Sequence, residues 1–282
     1  SKGYTPSKSH PLTIQFVPSQ AASTLEAKAK PLEKILSKKL GVPVKISMST
    51  DYNTVVEAMK SKKVDVGFLP PDGYVLAHKQ KAADVLLQAL RYGVKQPGGK
   101  ATNKLVKVYR SEILVKKGSK IKSWKDLKGK KIAVQNATSS AGYIFPIAEL
   151  KEKGLDLTKK GNANLVTVTG HDQAVLDVLN GDVDAAFTFE DARNTVLADQ
   201  PNIMKKVVPI YFTKSIPNDT ISVRSDMSSS FRKKLSKAFE SLRKDKKSLK
   251  IIESIYSHEG YTPSKDSDFN IVRKYDKMAA TK

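Results

Sequence analysis

The stretch "TVVEAMKSKKVDVGF" (54–68) opens with apolar residues at helical spacing and closes on alternating apolar positions. It reads as a short amphipathic helix carrying Val55, Val56 and Met59, then the strand "VDVGFL". Further along, "AVLDVLNGDVDAAF" (174–187) runs the same way, from an amphipathic helix into a strand of the form V-D-x-x-F. The spacing differs by one residue, so this is no tandem array. Two lobes of similar build account for it better.

Working outward, "LTIQFVPS" alternates Leu12, Ile14 and Phe16 and stops at Pro18-Ser19. A helix, a turn at Gly41 and Pro43, and a strand over 44–48 follow. Strands at 12–17, 44–48 and 64–69 form one set, and strands at 132–135, 165–169 and 183–189 form another. Helices separate them, so the order is βαβα and the sheets are mostly parallel. Extended stretches around 105–115 and 207–224 lie at the boundaries and serve as crossings between lobes. The expected division is a tether at 1–10, lobe 1 at 11–110, lobe 2 at 111–218 and a return to lobe 1 at 219–282.

"IAVQNATSSAGYIFP" (132–146) opposes an apolar strand to a run of small and hydroxyl residues, Ala137, Thr138, Ser139, Ser140, Ala141 and Gly142. An ordinary helix cap is one reading. The other is a ligand that must approach the backbone. Pro146 cannot lie deep in a regular helix, so the regular helix is expected to begin near Phe145.

The chain has 282 residues, 39% hydrophobic and 28% charged, which suits a packed globular protein of two domains. There is no cysteine, hence no disulfide, thiolate metal site or cysteine nucleophile. No apolar run approaches the roughly 18 residues of a membrane helix. The net charge of +22 attracts anions of many kinds, from polymers to small solutes. In "FRKKLSKAFESLRKDKK" the residues Phe231, Leu235, Phe239 and Leu242 fall on one helical stripe, leaving Arg232, Lys233, Lys237 and Arg243 elsewhere. That is a buried stripe under a solvated basic face, with no aromatic platform for nucleic acid. His10, His78, His171 and His258 have no metal-ligand spacing. "TSSAG" is not a nucleophile elbow, and "QPGGK" (96–100) is a turn. Neither an enzyme nor a cofactor is expected.

Seven segments in order, "IQFVPS", "DYNTVVEAMKSKKVDVGFL", "YRSEILVKK", "NATSSAGYIFP", "GHDQAVLDVLNGDVDAAF", "FEDAR" and "IPNDTISVRSDM", resemble the phosphonate-binding branch of extracytoplasmic solute-binding proteins of ABC importers. The resemblance covers almost the whole chain. It implies a type 2 periplasmic-binding-protein fold of two α/β lobes joined by two strand crossings, with a small phosphorus oxyanion closed between them. It further implies a monomer outside the cytoplasm, at the cell surface or in the periplasm. There the protein would be processed, tethered as a lipoprotein and partnered by a membrane permease.

By the same resemblance Ser139 and Ser140 fall on the first two positions of a Ser-Thr-Ser-Gly phosphonate loop. Ala141 stands at the third, where a hydroxyl is lost, and Thr138 and Gly142 flank them. Tyr52 and Tyr109 match first-lobe tyrosines and His171 a second-lobe histidine. Glu190 or Asp191, with Asp219, match an acidic side that meets the amino group of aminoalkylphosphonates. Tyr74 in "PPDGY" is a further lining candidate. Phosphate, phosphite or a phosphorylated metabolite would use the same loop. From a different class, a basic surface protein binding anionic polymers would use the charge itself.

Overall fold

The computed structural model describes residues 2–17 and 22–280; the expected strand stop at Pro18-Ser19 lies outside them. In chain order the strands are β1 (Leu12–Phe16), β2 (Val44–Met48), β3 (Val66–Leu69), β4 (Ala83–Lys95), β5 (Lys100–Val106), β6 (Val108–Lys116), β7 (Lys131–Val134), β8 (Asn164–Thr167), β9 (Ala185–Phe189), β10 (Val207–Pro217), β11 (Thr220–Arg224) and β12 (Gly260–Pro263). The helices are α1 (Ala22–Leu40), α2 (Tyr52–Lys60), α3 (Pro71–Lys79), α4 (Phe145–Glu152), α5 (His171–Asn180), α6 (Ile203–Lys206), α7 (Ser229–Ser241), α8 (Lys246–Tyr256) and α9 (Asn270–Ala279).

Two compact units result. Unit 1 comprises residues 1–91, 105–107 and 217–269, and unit 2 comprises 92–104, 108–216 and 270–282. In the first sheet the order is β12-β4-β11-β3-β1-β2, with β5 paired to β4. There β1 runs parallel to β2 and β3, whereas β11 is antiparallel to β3. The second sheet has the order β10-β6-β9-β7-β8, with β7 parallel to β8 and β9 and β6 antiparallel to β9.

The helix–strand echo is structural. In unit 1, α2 is capped by Asp51, whose carboxylate accepts from the Thr54 amide at 2.8 Å, and it buries Val55, Val56 and Met59. In unit 2, α5 buries Ala174, Val175 and Val178 in the same manner. Each such Val or Met side chain contributes about 1.5–3 kcal/mol of burial. The aspartate opening each strand has one job in both units. Asp65 accepts from the Thr13 amide of β1 at 2.9 Å, and Asp184 accepts from the Lys131 amide of β7 at 2.9 Å. Each carboxylate thus takes up a donor at the start of the neighbouring parallel strand.

On α7 the stripe Phe231, Leu235, Phe239 and Leu242 is buried and Lys233 and Lys237 are exposed, as the spacing predicts. Arg232 is half-buried and engaged, donating to Asp84, Met227 and Ser225.

The expected domain ranges need three corrections. Residues 3–5 are no free tether. The Tyr4 amide donates to the Asp226 carbonyl at 2.7 Å, its carbonyl accepts from the Ser228 amide at 2.8 Å, and its ring lies under the Arg224 guanidinium at 3.7 Å. Residues 92–104, the tip of the β4–β5 hairpin, belong to unit 2 because Arg193 donates to the Gln96 side chain and the Pro97 carbonyl. The last helix also belongs to unit 2. Tyr275 of α9 packs on Phe145 and donates to Glu149 at 2.9 Å, and Lys274 pairs with Glu152 at 3.1 Å. A buried carboxylate needs such donors, and α9 supplies one.

Candidate functional site

In unit 2, β7 ends at Val134 and the chain enters the small-residue loop. Ser139 caps the next turn: its hydroxyl accepts from the Gly142 amide at 3.1 Å. Residues Ser140–Ile144 form this turn, which is π-helical, and the regular helix starts at Phe145 with Pro146 in its first turn. The proline therefore costs no interior hydrogen bond. Among the described residues no protein group accepts from the amides of Ser140 and Ala141, and none pairs with the Ser140 hydroxyl. Ser139 uses its oxygen as acceptor, so its O–H proton remains able to donate.

Gly142 is dictated by space. A Cβ there would lie 2.3 Å from Gln135 Cγ and 2.6 Å from Gln135 Cβ. The loop is also held from β6, where the Ser111 hydroxyl donates to the Ala141 carbonyl at 2.6 Å. Thr138 is exposed and turns back on Asn136, whose side-chain oxygen accepts from its amide at 3.0 Å and from its hydroxyl.

His171 follows β8 as the first residue of α5. Gly170 before it has φ +94°, a conformation glycine tolerates without strain. The ring Nδ1 accepts from the Phe189 amide at 3.2 Å, so the ring proton resides on Nε2. Burial lowers the imidazole pKa to about 4, outweighing the opposing pull of Asp172 and Asp191. At neutral pH His171 is thus an uncharged N–H donor. The loop, His171 and the Glu190–Asp191 pair all leave the carboxyl ends of β7, β8 and β9, the edge where open α/β sheets bind ligands. Tyr109 comes to that edge from β6, two residues before the Ser111↔Phe189 pair. It lies in unit 2, not in the first lobe, because β6 is laid against β9 from Ser111 onward.

Glu190 and Asp191 part company. Glu190 is buried; its carboxylate accepts from the Arg110 amide at 3.0 Å and from the Arg110 guanidinium at 3.1 Å. Its charge is committed inside unit 2. Asp191 is half-buried and opens the 3-10 turn Ala192–Val196.

Unit 1 has its own set. Asp219 lies immediately before β11, its side chain 55% exposed, with one oxygen 3.7 Å from His258 Nε2. Tyr52 starts α2 and is 40% exposed. Protein crowding around the phenol, with the Asp219 charge, nevertheless pushes its pKa up to about 12, so it is a protonated O–H donor. Tyr74 is a correction. It is 0% exposed, packs on Phe269 and donates to Asp266 at 2.7 Å. An aromatic residue just inside α3 faces the core there and lines nothing. Among the described residues no cluster of three metal-ligating side chains occurs.

Residues 14–269 match the family model described as ABC transporter, phosphonate, periplasmic substrate-binding protein. The chain belongs to that family. It is 30% identical over 199 residues to the phosphate-import protein PhnD of Mycolicibacterium smegmatis, covering 68% of this chain and 59% of that protein. It is 24% identical over 270 residues to the phosphonates-binding periplasmic protein of Escherichia coli, covering 93% of this chain and 74% of that one. The structure of PhnD1 from Prochlorococcus marinus, in complex with methylphosphonate, superposes with a TM-score of 0.68 at 18% identity, covering 94% of this chain and 97% of that one. At such identity the superposition shows the fold, which is the type 2 periplasmic-binding-protein fold. The family is one of extracytoplasmic substrate-binding transport proteins, not enzymes. No helix among the described residues is long and apolar enough to cross a membrane.

Within this family member, sequence reading misses residues that support the candidate groups inside each unit. In unit 2 Gln135, Ser111 and Arg110 hold the loop, the His171 turn and Glu190, and in unit 1 His258 lies beside Asp219. One signal was present: Gln135 is a polar residue ending the apolar run "KIAVQ", where burial demands partners.

Proposed function

We propose that this chain is the substrate-binding component of an ABC importer and takes a small phosphorus oxyanion, a phosphonate by preference, on the Ser139–Gly142 loop. The observation that carries the reading is the pair of unaccepted amides at Ser140 and Ala141, beside the two serine hydroxyls. A phosphonate presents three acceptor oxygens, and amides at the start of a helical turn are suited to them. Neutral His171 adds an Nε2–H donor without a charge, and Tyr109 a phenol at the same sheet edge. By the family resemblance, Tyr52 and Asp219 of unit 1 are further candidate ligand residues. Asp219 meets an ammonium when the ligand is an aminoalkylphosphonate, with Asp191 as its second carboxylate; Glu190, bound to Arg110, is left out. The membrane permease is the proposed macromolecular partner. The methylphosphonate complex of the Prochlorococcus protein and the phosphate-import role of the mycobacterial one support a ligand of this class.

Titration calorimetry with phosphate, phosphite, methylphosphonate and 2-aminoethylphosphonate tests it. Binding at about 1 μM or tighter, roughly −8 kcal/mol, to one of them is expected. Binding only to polyanions, collapsing steeply with salt, would instead make the +22 charge the functional feature.

A further inference from the structure

We propose that Gln135 is the positioning residue of the oxyanion site, fixing the Ser139–Gly142 loop and the His171 turn to one another; this rests on the functional reading above. The residue is buried at the end of β7 and serves both segments at once. Its backbone amide donates to the Gly142 carbonyl at 3.0 Å. Its side-chain Nε2 donates to the Gly170 carbonyl at 3.1 Å, and its Oε1 accepts from the Gly170 amide at 3.0 Å. The aliphatic stem fills the space that a Cβ on residue 142 would occupy, so the loop lies directly against it.

The consequence concerns distance. One tetrahedral anion must be met by loop amides and by the imidazole N–H, which belong to segments about thirty residues apart in sequence. Two donor sets serve one small ligand only if their separation is held, and a side chain that grips both does this. Gly170 is the residue before His171, and the Phe189 amide already fixes the ring at Nδ1. With Gly170 gripped through both its N–H and its C=O, little freedom is left for the imidazole to swing. An amide side chain suits the task because it offers one donor and one acceptor in a plane. Methionine would keep most of the shape and leave the Gly170 N–H unpaired, while the Gly170 carbonyl would retain only the Ala174 amide at 3.2 Å. Glutamate would keep the acceptor, lose the donor and place a negative charge beside an anion site.

The test uses the full chain with methylphosphonate and inorganic phosphate as probes, comparing wild type, Gln135→Met, His171→Ala and the double variant by calorimetry. A second readout is the ¹⁵N spectrum of the His171 ring, which reports the tautomer and does not depend on ligand. Positioning predicts that each single variant weakens binding, and that the double variant is weaker than the worse single by less than the product, with a coupling of at least about fivefold. It also predicts that Gln135→Met mixes the His171 tautomers while circular dichroism keeps its native form. Additive losses, unchanged affinity in Gln135→Met, or an unaltered imidazole spectrum would overturn the proposal. Should the methionine variant fail to fold, Gln135→Glu preserves the packing and is judged by the imidazole spectrum and by its coupling to His171→Ala, since its charge weakens anion binding by itself. If wild type binds neither probe, the functional reading fails; the imidazole spectrum then still decides whether Gln135 holds the turn.

Discussion

Acidification should unload His171 in a calculable way. The folded ring titrates at about 4 because burial disfavours its cation, against 6.5 for a solvated imidazole. Above pH 6.5 both states hold a neutral ring, and it contributes no pH dependence. Between about 6.5 and 4 the unfolded chain takes up a proton that the folded one refuses, so stability falls as pH falls. Below about 4 both are protonated and the loss ends. The gap of about 2.5 pH units at about 1.4 kcal/mol each sets a ceiling of about 3.5 kcal/mol. The ring keeps some solvent contact, so about 1–2 kcal/mol is the expected size. His171→Asn removes the titration while its side-chain oxygen still accepts from the Phe189 amide. Urea unfolding of both proteins at several pH values from 4.5 to 7.5 gives the difference directly, since other titrating groups cancel. Wild type should lose ground to the variant steadily below pH 6.5 and keep a constant offset above it. A difference that does not vary with pH would refute the buried, neutral imidazole and with it the donor role of Nε2.

Ser139→Ala should act twice. Loss of the cap on the Gly142 amide costs about 1 kcal/mol in stability, and loss of the O–H donor costs about 1.5–3 kcal/mol in methylphosphonate affinity, read by thermal melts and calorimetry. Gly142→Ala forces a Cβ against Gln135 and should cost about 1–3 kcal/mol in stability, with oxyanion binding lost at permissive temperature. Asp219→Asn should weaken 2-aminoethylphosphonate relative to methylphosphonate by about fivefold, the modest size following from the exposure of the carboxylate; equal losses would dismiss the ammonium role. Tyr275→Phe removes a donor from the buried Glu149 carboxylate and should destabilise unit 2 by about 1.5–3 kcal/mol in urea melts, leaving affinity for methylphosphonate unchanged.

Local periodicity was enough to determine most elements. The alternation of Leu12, Ile14 and Phe16, the stripe on α7 and the paired helix–strand echoes were legible because each depends on neighbours a few residues away. Pro146 alone deferred the regular helix to Phe145, since its ring and missing N–H act within one turn. Gly142 and Ser139 stood out as small residues, but what they face did not. Only tertiary structure decided that Tyr109 stands on unit 2, that α9 closes on Glu149, that Tyr74 is core and that Glu190 answers Arg110. Gln135 is the clearest case. Its partners lie at 142 and 170, and nothing in the residues beside it says that its amide will bridge them. Hydrophobic spacing repeats along the chain and can be read in one dimension. The partner of a buried polar group is whatever the fold brings opposite it, and that is set by strand order and register across the whole sheet.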